Sequence, residues 1–195
     1  MTSKPAIYLA SQSPRRRELL QQIGVSHAVL RVDVDERLRV DESALDYVTR
    51  VALDKALAGR AMLAGGRIAP VLGADTSVVI AGEVLGKPAD RAAGIAMLQR
   101  LSGTTHEVLS AVALAGASGA AVRVSSSRVT FRTLTKRECT AYWETGEPAD
   151  KAGGYAIQGL AAVFVARIEG SYSGVMGLPL FETAELLKEF GIPVI

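Results

Sequence analysis

The sequence predicts an α/β fold built on a mixed β-sheet. Strand-length apolar runs alternate with stretches of helical composition. Short glycine turns join two pairs of those runs as hairpins, and the first strand passes directly into a helix start. Ile7-Tyr8-Leu9-Ala10 reads as that strand, with polar residues at its C-terminal end, where α/β proteins place ligands. Ser13 is placed to cap the helix that follows, Pro14 suits its first position, and Leu19, Leu20 and Ile23 form an apolar stripe that Gly24 ends. A second strand is expected near Ala28 to Val32, then the acidic turn Asp33-Val34-Asp35-Glu36.

A long helix starts near Ser43, with Asp46 placed for a box-like cap and Leu45, Val48, Ala52, Ala56 and Leu63 on its buried side. Val71 to Ile80 is a strand, Ala81-Gly82 a turn and Val84-Leu85 the return strand, closed by Gly86-Lys87-Pro88. Ala89 to Leu101 has helical composition. Val108 to Leu114 and Val122 to Phe131 pair across Gly116 to Gly119. Thr135 opens a helix that ends before Gly146, and Cys139, Tyr142 and Trp143 are assigned to its packing. A glycine-rich loop, Ala152 to Gly159, precedes a strand over Ala162 to Ile168, and Leu180 to Phe190 is the last helix.

The chain has 195 residues, 49% of them apolar, enough to bury a core as one domain or two small lobes. Its net charge of +2 is too balanced for a protein living on nucleic-acid backbone, and 5% aromatic content offers no stacking stripe for RNA. The apolar patch Ala6 to Ala10 is too short for a secretory signal core, and Val108 to Val122 is too short and too interrupted to span a bilayer. The single Cys139 excludes an internal disulfide framework and fits a reducing cytoplasm.

Arg15 and Arg16 fall in the first turn of a helix, the end that prefers anions over cations. Guanidinium forks and free backbone N–H groups pointing the same way make an anion site, unless the arginines simply fan into solvent. Asp75 interrupts an apolar strand, and a buried carboxylate is costly unless paired or metal-bound. Folding about Ala81-Gly82 brings Lys87 close to Asp75 or Thr76, the turn length deciding which shares its face. Asp33, Asp35 and Glu36 become a hard-oxygen cation site only if the fold carries them to Asp75. Lys55, mid-helix, reads on its own as a solvated lysine. Gln158, after the glycines, could hydrogen-bond a base edge. His27 and His106 have no nucleophile partner in any recognisable motif and are read as structural.

Taken in order, Ser11-Gln12-Ser13-Pro14-Arg15-Arg16, Val34-Asp35-Glu36, Lys55, Gly73-Ala74-Asp75-Thr76, Gly86-Lys87-Pro88, Lys151 to Gly159 and Gly177-Leu178-Pro179-Leu180 resemble the Maf family of nucleoside triphosphate pyrophosphatases. The resemblance spans nearly the whole chain and implies a single domain over residues 1–195. The implied fold is Maf/ITPase-like, a two-lobed α/β structure whose long, twisted mixed β-sheet is flanked by helices, with the active-site cleft between the lobes. A homodimer is also implied. So is hydrolysis of a nucleoside triphosphate to the monophosphate and pyrophosphate with a divalent cation (Mg, Mn or Co). By motif, Asp75 takes the role of proton acceptor. Ser11, Arg16, Glu36, Lys55 and Lys87 match phosphate- or metal-site positions, Glu36 and Asp75 being those assigned to metal. Arg15, Thr76 and Gln158 match positions tied to base choice. Arginine after Ser13-Pro14, where the 7-methyl-GTP branch tends to have tryptophan, points to the dTTP/UTP branch. The alternatives are a pyrophosphatase of that other branch and a non-catalytic nucleotide-binding regulator of septum formation.

Overall fold

The computed structural model describes residues 5–63 and 69–194. Seven strands form one sheet: β1 (Ile7–Leu9), β2 (His27–Val29), β3 (Val71–Ile80), β4 (Glu83–Leu85), β5 (Thr105–Gly116), β6 (Gly119–Phe131) and β7 (Val165–Glu169). The order is β2-β1-β3-β5-β6-β7, with β4 on β3. The β1 pairings with β2 and β3 are parallel and the rest are antiparallel, so the sheet is mixed as expected. The helices are α1 (Pro14–Gln22), α2 (Ala44–Met62), α3 (Arg91–Leu101), α4 (Lys136–Glu144), α5 (Tyr172–Met176) and α6 (Leu180–Glu189).

One edge of β3 positions everything that follows. Its start pairs with β1 at Val71 and Leu72, and its end pairs with β4 from Val78 to Ile80. Between them, Gly73 to Ser77 has no strand on that side among the described residues, while the other edge pairs continuously with β5. The sheet therefore opens at its middle, with Asp75 and Thr76 in the opening. A parting of strands in an α/β sheet is where such folds seat ligands.

The apolar core divides around that opening. Under α1 and α6, Leu9, Leu20, Leu72, Leu114 and Leu186 pack on one face of the sheet. On the other face Val48, Ala52 and Ala56 of α2 meet Ala111 and Ala113 of β5. At the far end Leu98, Leu101, Phe131, Tyr142 and Phe164 form a separate cluster with α3 and α4. Each fully buried leucine or phenylalanine stabilises by about 1.5–3 kcal/mol. Because α2 covers one face of β5 and the α6 cluster the other, Val108 to Ala115 is buried without alternation and reads as a continuous apolar run.

Several expectations need correction. Ser13 is the N-cap residue of α1, yet its side chain makes no capping bond, whereas Ser43 caps α2 through the Asp46 N–H. The buried side of α2 runs through Val48, Val51, Ala52, Lys55, Ala56 and Gly59, and Leu45 is exposed. The second strand stops at Val29 because β1, its only strand partner among the described residues, is three residues long. The expected strand from Ala162 begins at Val165 instead. A 3-10 turn occupies Leu160–Phe164, and the Glu147 carboxylate accepts the N–H groups of Leu160 and Ala161 at its start. Helix α5 was not foreseen, no element being expected between Ile168 and Leu180. Trp143 packs against Gly94, where an added Cβ would lie 2.1 Å from the indole, and Cys139 is buried, both as expected. Among the described residues no helix is long and apolar enough to cross a membrane.

His106 is structural, and it makes stability pH-dependent. It is 2% exposed, edge-on to Phe131, with Nε2 2.8 Å from the Tyr155 hydroxyl. Burial pushes its pKa down to about 4, so on acidification the unfolded chain takes up this proton first. The neutral ring's contribution is complete above about pH 6.5 and is lost as pH falls towards 4. Urea unfolding should show a loss on the order of 2 kcal/mol between pH 7 and pH 5. His106→Gln should flatten that slope; an unchanged slope would show that another group titrates.

Candidate active site

The site is built on Gly73. A Cβ there would lie 2.3 Å from the Ala52 carbonyl oxygen and 2.6 Å from the Ala56 nitrogen, so only glycine lets the α2 backbone lie directly on β3. That approach delivers Lys55 to Asp75. The Lys55 ammonium donates to Asp75 Oδ1 at 2.9 Å and lies 2.9 Å from Glu36 Oε1. Lys55 and Asp75 are each 8% exposed, whereas Glu36 reaches in from the cleft mouth with half its side chain in solvent. The lysine read as solvated is thus buried, and its charge offsets the cost of burying Asp75. Burial raises the Glu36 pKa, but the Lys55 hydrogen bond and the charges of Lys55, Lys87 and Arg16 outweigh it and hold the carboxyl below its ordinary value.

Of the three loop acids only Glu36 arrives. Asp35 pairs with Arg37 at the surface, and Asp33 is exposed. Two α2 residues that the sequence did not single out fix the loop. Tyr47 donates to the Glu36 carbonyl at 2.9 Å, and Arg50 donates to the carbonyls of Asp35 and Arg37 at 3.0 Å while clasping Glu42. Burial, together with the nearby Asp75 and Glu36 charges, pushes the Tyr47 hydroxyl up to about 12, so it stays a donor.

Arg15 and Arg16 do not fan outward, whereas Arg17 is exposed. Arg15 Nε donates to the Met176 carbonyl at 3.3 Å, and Arg16 Nε to the Gly177 carbonyl at 2.7 Å. Arg16 also donates to the Ser11 hydroxyl at 3.2 Å. Enclosure by protein lowers the Arg16 pKa, with the Asp75 and Glu36 charges opposing that effect. These bonds use Nε of Arg15 and both Nε and Nη1 of Arg16; among the described residues the two terminal nitrogens of Arg15 and Nη2 of Arg16 make no hydrogen bond and can meet an anion. The carbonyls belong to α5 and the residue after it, so the unforeseen helix aims both forks. Lys87, two residues past the end of β4, lines the same cleft as both Asp75 and Thr76.

The glycine-rich loop closes the cleft. Gly153, at φ +67°, lies against Val78 and donates its N–H to the Gly86 carbonyl at 3.0 Å. Tyr142 receives the Ala156 N–H at 3.1 Å and donates to Glu147 at 2.6 Å. With its neighbours so fixed, Gln158 stands exposed on the cleft wall, and Lys151, paired with Asp150, lies beside it.

All of the sequence-predicted site residues (Ser11, Arg15, Arg16, Glu36, Lys55, Asp75, Thr76, Lys87 and Gln158) line one cleft of about 450 Å³. Arg15, Arg16 and Lys87 line it together with Asp75 and Glu36, which Lys55 bridges, and with Asp150. No cluster of three acidic, histidine or cysteine side chains suited to a metal occurs among the described residues. Two carboxylates fit a hard cation that takes its remaining ligands from water and a substrate's phosphates.

Fold and cleft together define an α/β protein that receives a polyanion beside paired carboxylates. The chain belongs to the Maf family, whose model, described as Maf-like protein, matches residues 6–190. It is 59% identical over 192 residues to a protein of Alkalilimnicola ehrlichii named dTTP/UTP pyrophosphatase, covering 97% of this chain and 95% of that one. A protein of Saccharophagus degradans with the same name is 58% identical over 189 residues, covering 96% and 90%. Among solved structures, the Ham1 protein of Staphylococcus aureus is similar over 64% of this chain and 71% of that one, with a TM-score of 0.45 and 16% identity.

Gly73→Ala tests how the site is assembled. The methyl group would force α2 away from β3 and stretch the Lys55–Asp75 contact. Chemical denaturation should show a loss at the upper end of about 1–3 kcal/mol for overpacking, with nucleotide binding weakened as well. Unchanged stability would show that α2 does not rest on this position.

Proposed function

We propose that this protein hydrolyses dTTP and UTP, and modified pyrimidine nucleotides of the same pattern, to the monophosphate and pyrophosphate. The observation that carries the reading is the Lys55 bridge between Asp75 and Glu36, set beside Arg16 and Lys87 in one cleft. A pure phosphate binder gains nothing from adding carboxylates to its cations, which weighs against a non-catalytic nucleotide sensor. The names of relatives 58% and 59% identical over nearly the full chain support the substrate class.

A triphosphate brings about four negative charges, which Arg16, Lys55, Lys87 and the open N-terminus of α1 can meet. Ser11, bonded to Arg16, keeps that fork turned into the cleft. Asp75 and Glu36 would hold a divalent cation (Mg, Mn or Co), which when bound lowers the pKa of water and neutralises phosphate charge. Asp75, the more buried carboxylate, is placed to accept a proton from water attacking the α-phosphorus. The cations then stabilise pyrophosphate as the leaving group. Arg15, Thr76 and Gln158 form the base-reading side. The reading takes residues 1–195 as one domain acting in the cytoplasm, with a second copy as its expected partner.

Asp75→Asn should fold normally and lose activity on the order of 10²-fold or more in kcat; near-normal turnover would remove Asp75 from the reaction. Arg16→Ala and Lys87→Ala should weaken dTTP binding more than thymidine binding by calorimetry, and unchanged dTTP affinity would contradict the phosphate cleft. A substrate panel with product analysis tests the activity itself. UMP or dTMP with pyrophosphate is expected, with kcat/KM for UTP and dTTP above that for purine triphosphates and 7-methyl-GTP. Orthophosphate with a diphosphate, or a purine as best substrate, would overturn the reading.

A further inference from the structure

Thr76 and Ser110 are directly opposed on neighbouring strands β3 and β5, with hydroxyl oxygens 2.9 Å apart. Ser110 is 1% exposed, and its Oγ lies 2.6 Å from the carbonyl oxygen of Gly174 in α5. A carbonyl can only accept, so the single Ser110 proton is committed to Gly174. The oxygen of Ser110 then has only lone pairs to offer Thr76, and Thr76 must donate its own single proton to it. The chain of donation runs Thr76 to Ser110 to Gly174, and the reverse direction would set two lone-pair oxygens against each other at 2.6 Å. Thr76 lines the cleft, and what its hydroxyl presents there is acceptor only.

From this polarity we infer that Ser110 is a positioning residue for base choice, by denying Thr76 a proton to give the ligand. The inference rests on the pyrimidine reading above. Phosphate oxygens are acceptors near neutral pH, so an acceptor-only Thr76 does not hold phosphate. Sugar hydroxyls rotate and can donate or accept, so a fixed polarity discriminates nothing there. The imide N3–H of uracil and thymine is a donor of fixed direction, and cytosine presents a lone pair at the same atom. A lone pair facing a lone pair in a partly desolvated pocket rejects cytosine.

The test is kcat/KM for UTP and CTP in the unmodified protein, Ser110→Ala, Thr76→Val and the double variant. Ser110→Ala frees the Thr76 proton to face cytosine N3, so use of CTP relative to UTP should rise by about tenfold, a gain that damage to the strand would not produce. Thr76→Val should lose the preference to a similar extent, and adding Ser110→Ala to it should change the ratio by less than about twofold, because the relay is already cut. Ser110→Cys, close in volume with a poorer hydrogen-bonding sulfur, should shift the ratio in the same direction and serves if the alanine variant folds poorly. An unchanged ratio in Ser110→Ala, or a Ser110 effect that persists in the Thr76→Val background, overturns the inference. Affinities for UMP and CMP by calorimetry in the same variants read the relay without turnover. A protein that hydrolyses neither UTP nor dTTP but shows the expected UMP/CMP shifts would sink the hydrolysis and keep the relay.

Discussion

Everything chemical in this structure depends on two backbones touching. Helix α2 can lie on β3 only because position 73 has no side chain, and that contact sets the depth at which Lys55 meets Asp75. With a larger residue there, Lys55 would stand off towards solvent and leave the buried Asp75 charge less well paired. The same helix also grips the Glu36 loop through Tyr47 and Arg50. One helix thus carries the ammonium to Asp75 on β3 and holds the loop that brings Glu36 to it.

The opposite wall of the cleft is placed by a different means. Short α5 contributes little to the core, but its carbonyls and the next one take donors from Arg15, Arg16 and Ser110. Backbone carbonyls spent in this way convert flexible cations into oriented ones. Cutting the entropy of two arginines before an anion arrives is a direct route to affinity. The cleft therefore joins a wall with carboxylates from β3 and the loop before α2, bridged by the α2 lysine, to a wall that supplies aimed guanidiniums from α1.

How much of this was legible in the sequence follows from how local each feature is. The β3–β4 hairpin was readable because ten apolar-rich residues, an Ala-Gly turn and a proline stop all lie together. The site residues were readable as an ordered set of short motifs running from Ser11 to Gln158, each recognised from its immediate neighbours in the chain. The burial of Lys55 was not, because nothing within its own helix differs from a solvated lysine; the cause lies at Gly73, eighteen residues away. Helix α5 was hidden by serines and glycines whose preference is for loops, and it forms because the Ser171 hydroxyl accepts the Gly174 N–H and holds its first turn. Ser110 was invisible for a similar reason. A serine in an apolar strand acquires a direction only when its acceptor, 64 residues later, is known.

The central claim is that the two carboxylates bridged by Lys55 direct water at the α-phosphorus, with pyrophosphate leaving as a unit. Hydrolysis of UTP in ¹⁸O-labelled water, followed by mass spectrometry of both products, tests it most directly. Attack at the α-phosphorus places the label in UMP and leaves pyrophosphate unlabelled, which is the result this geometry predicts. Label appearing in pyrophosphate would mean attack at the β-phosphorus, and the placing of Asp75 against the α-phosphorus would be wrong.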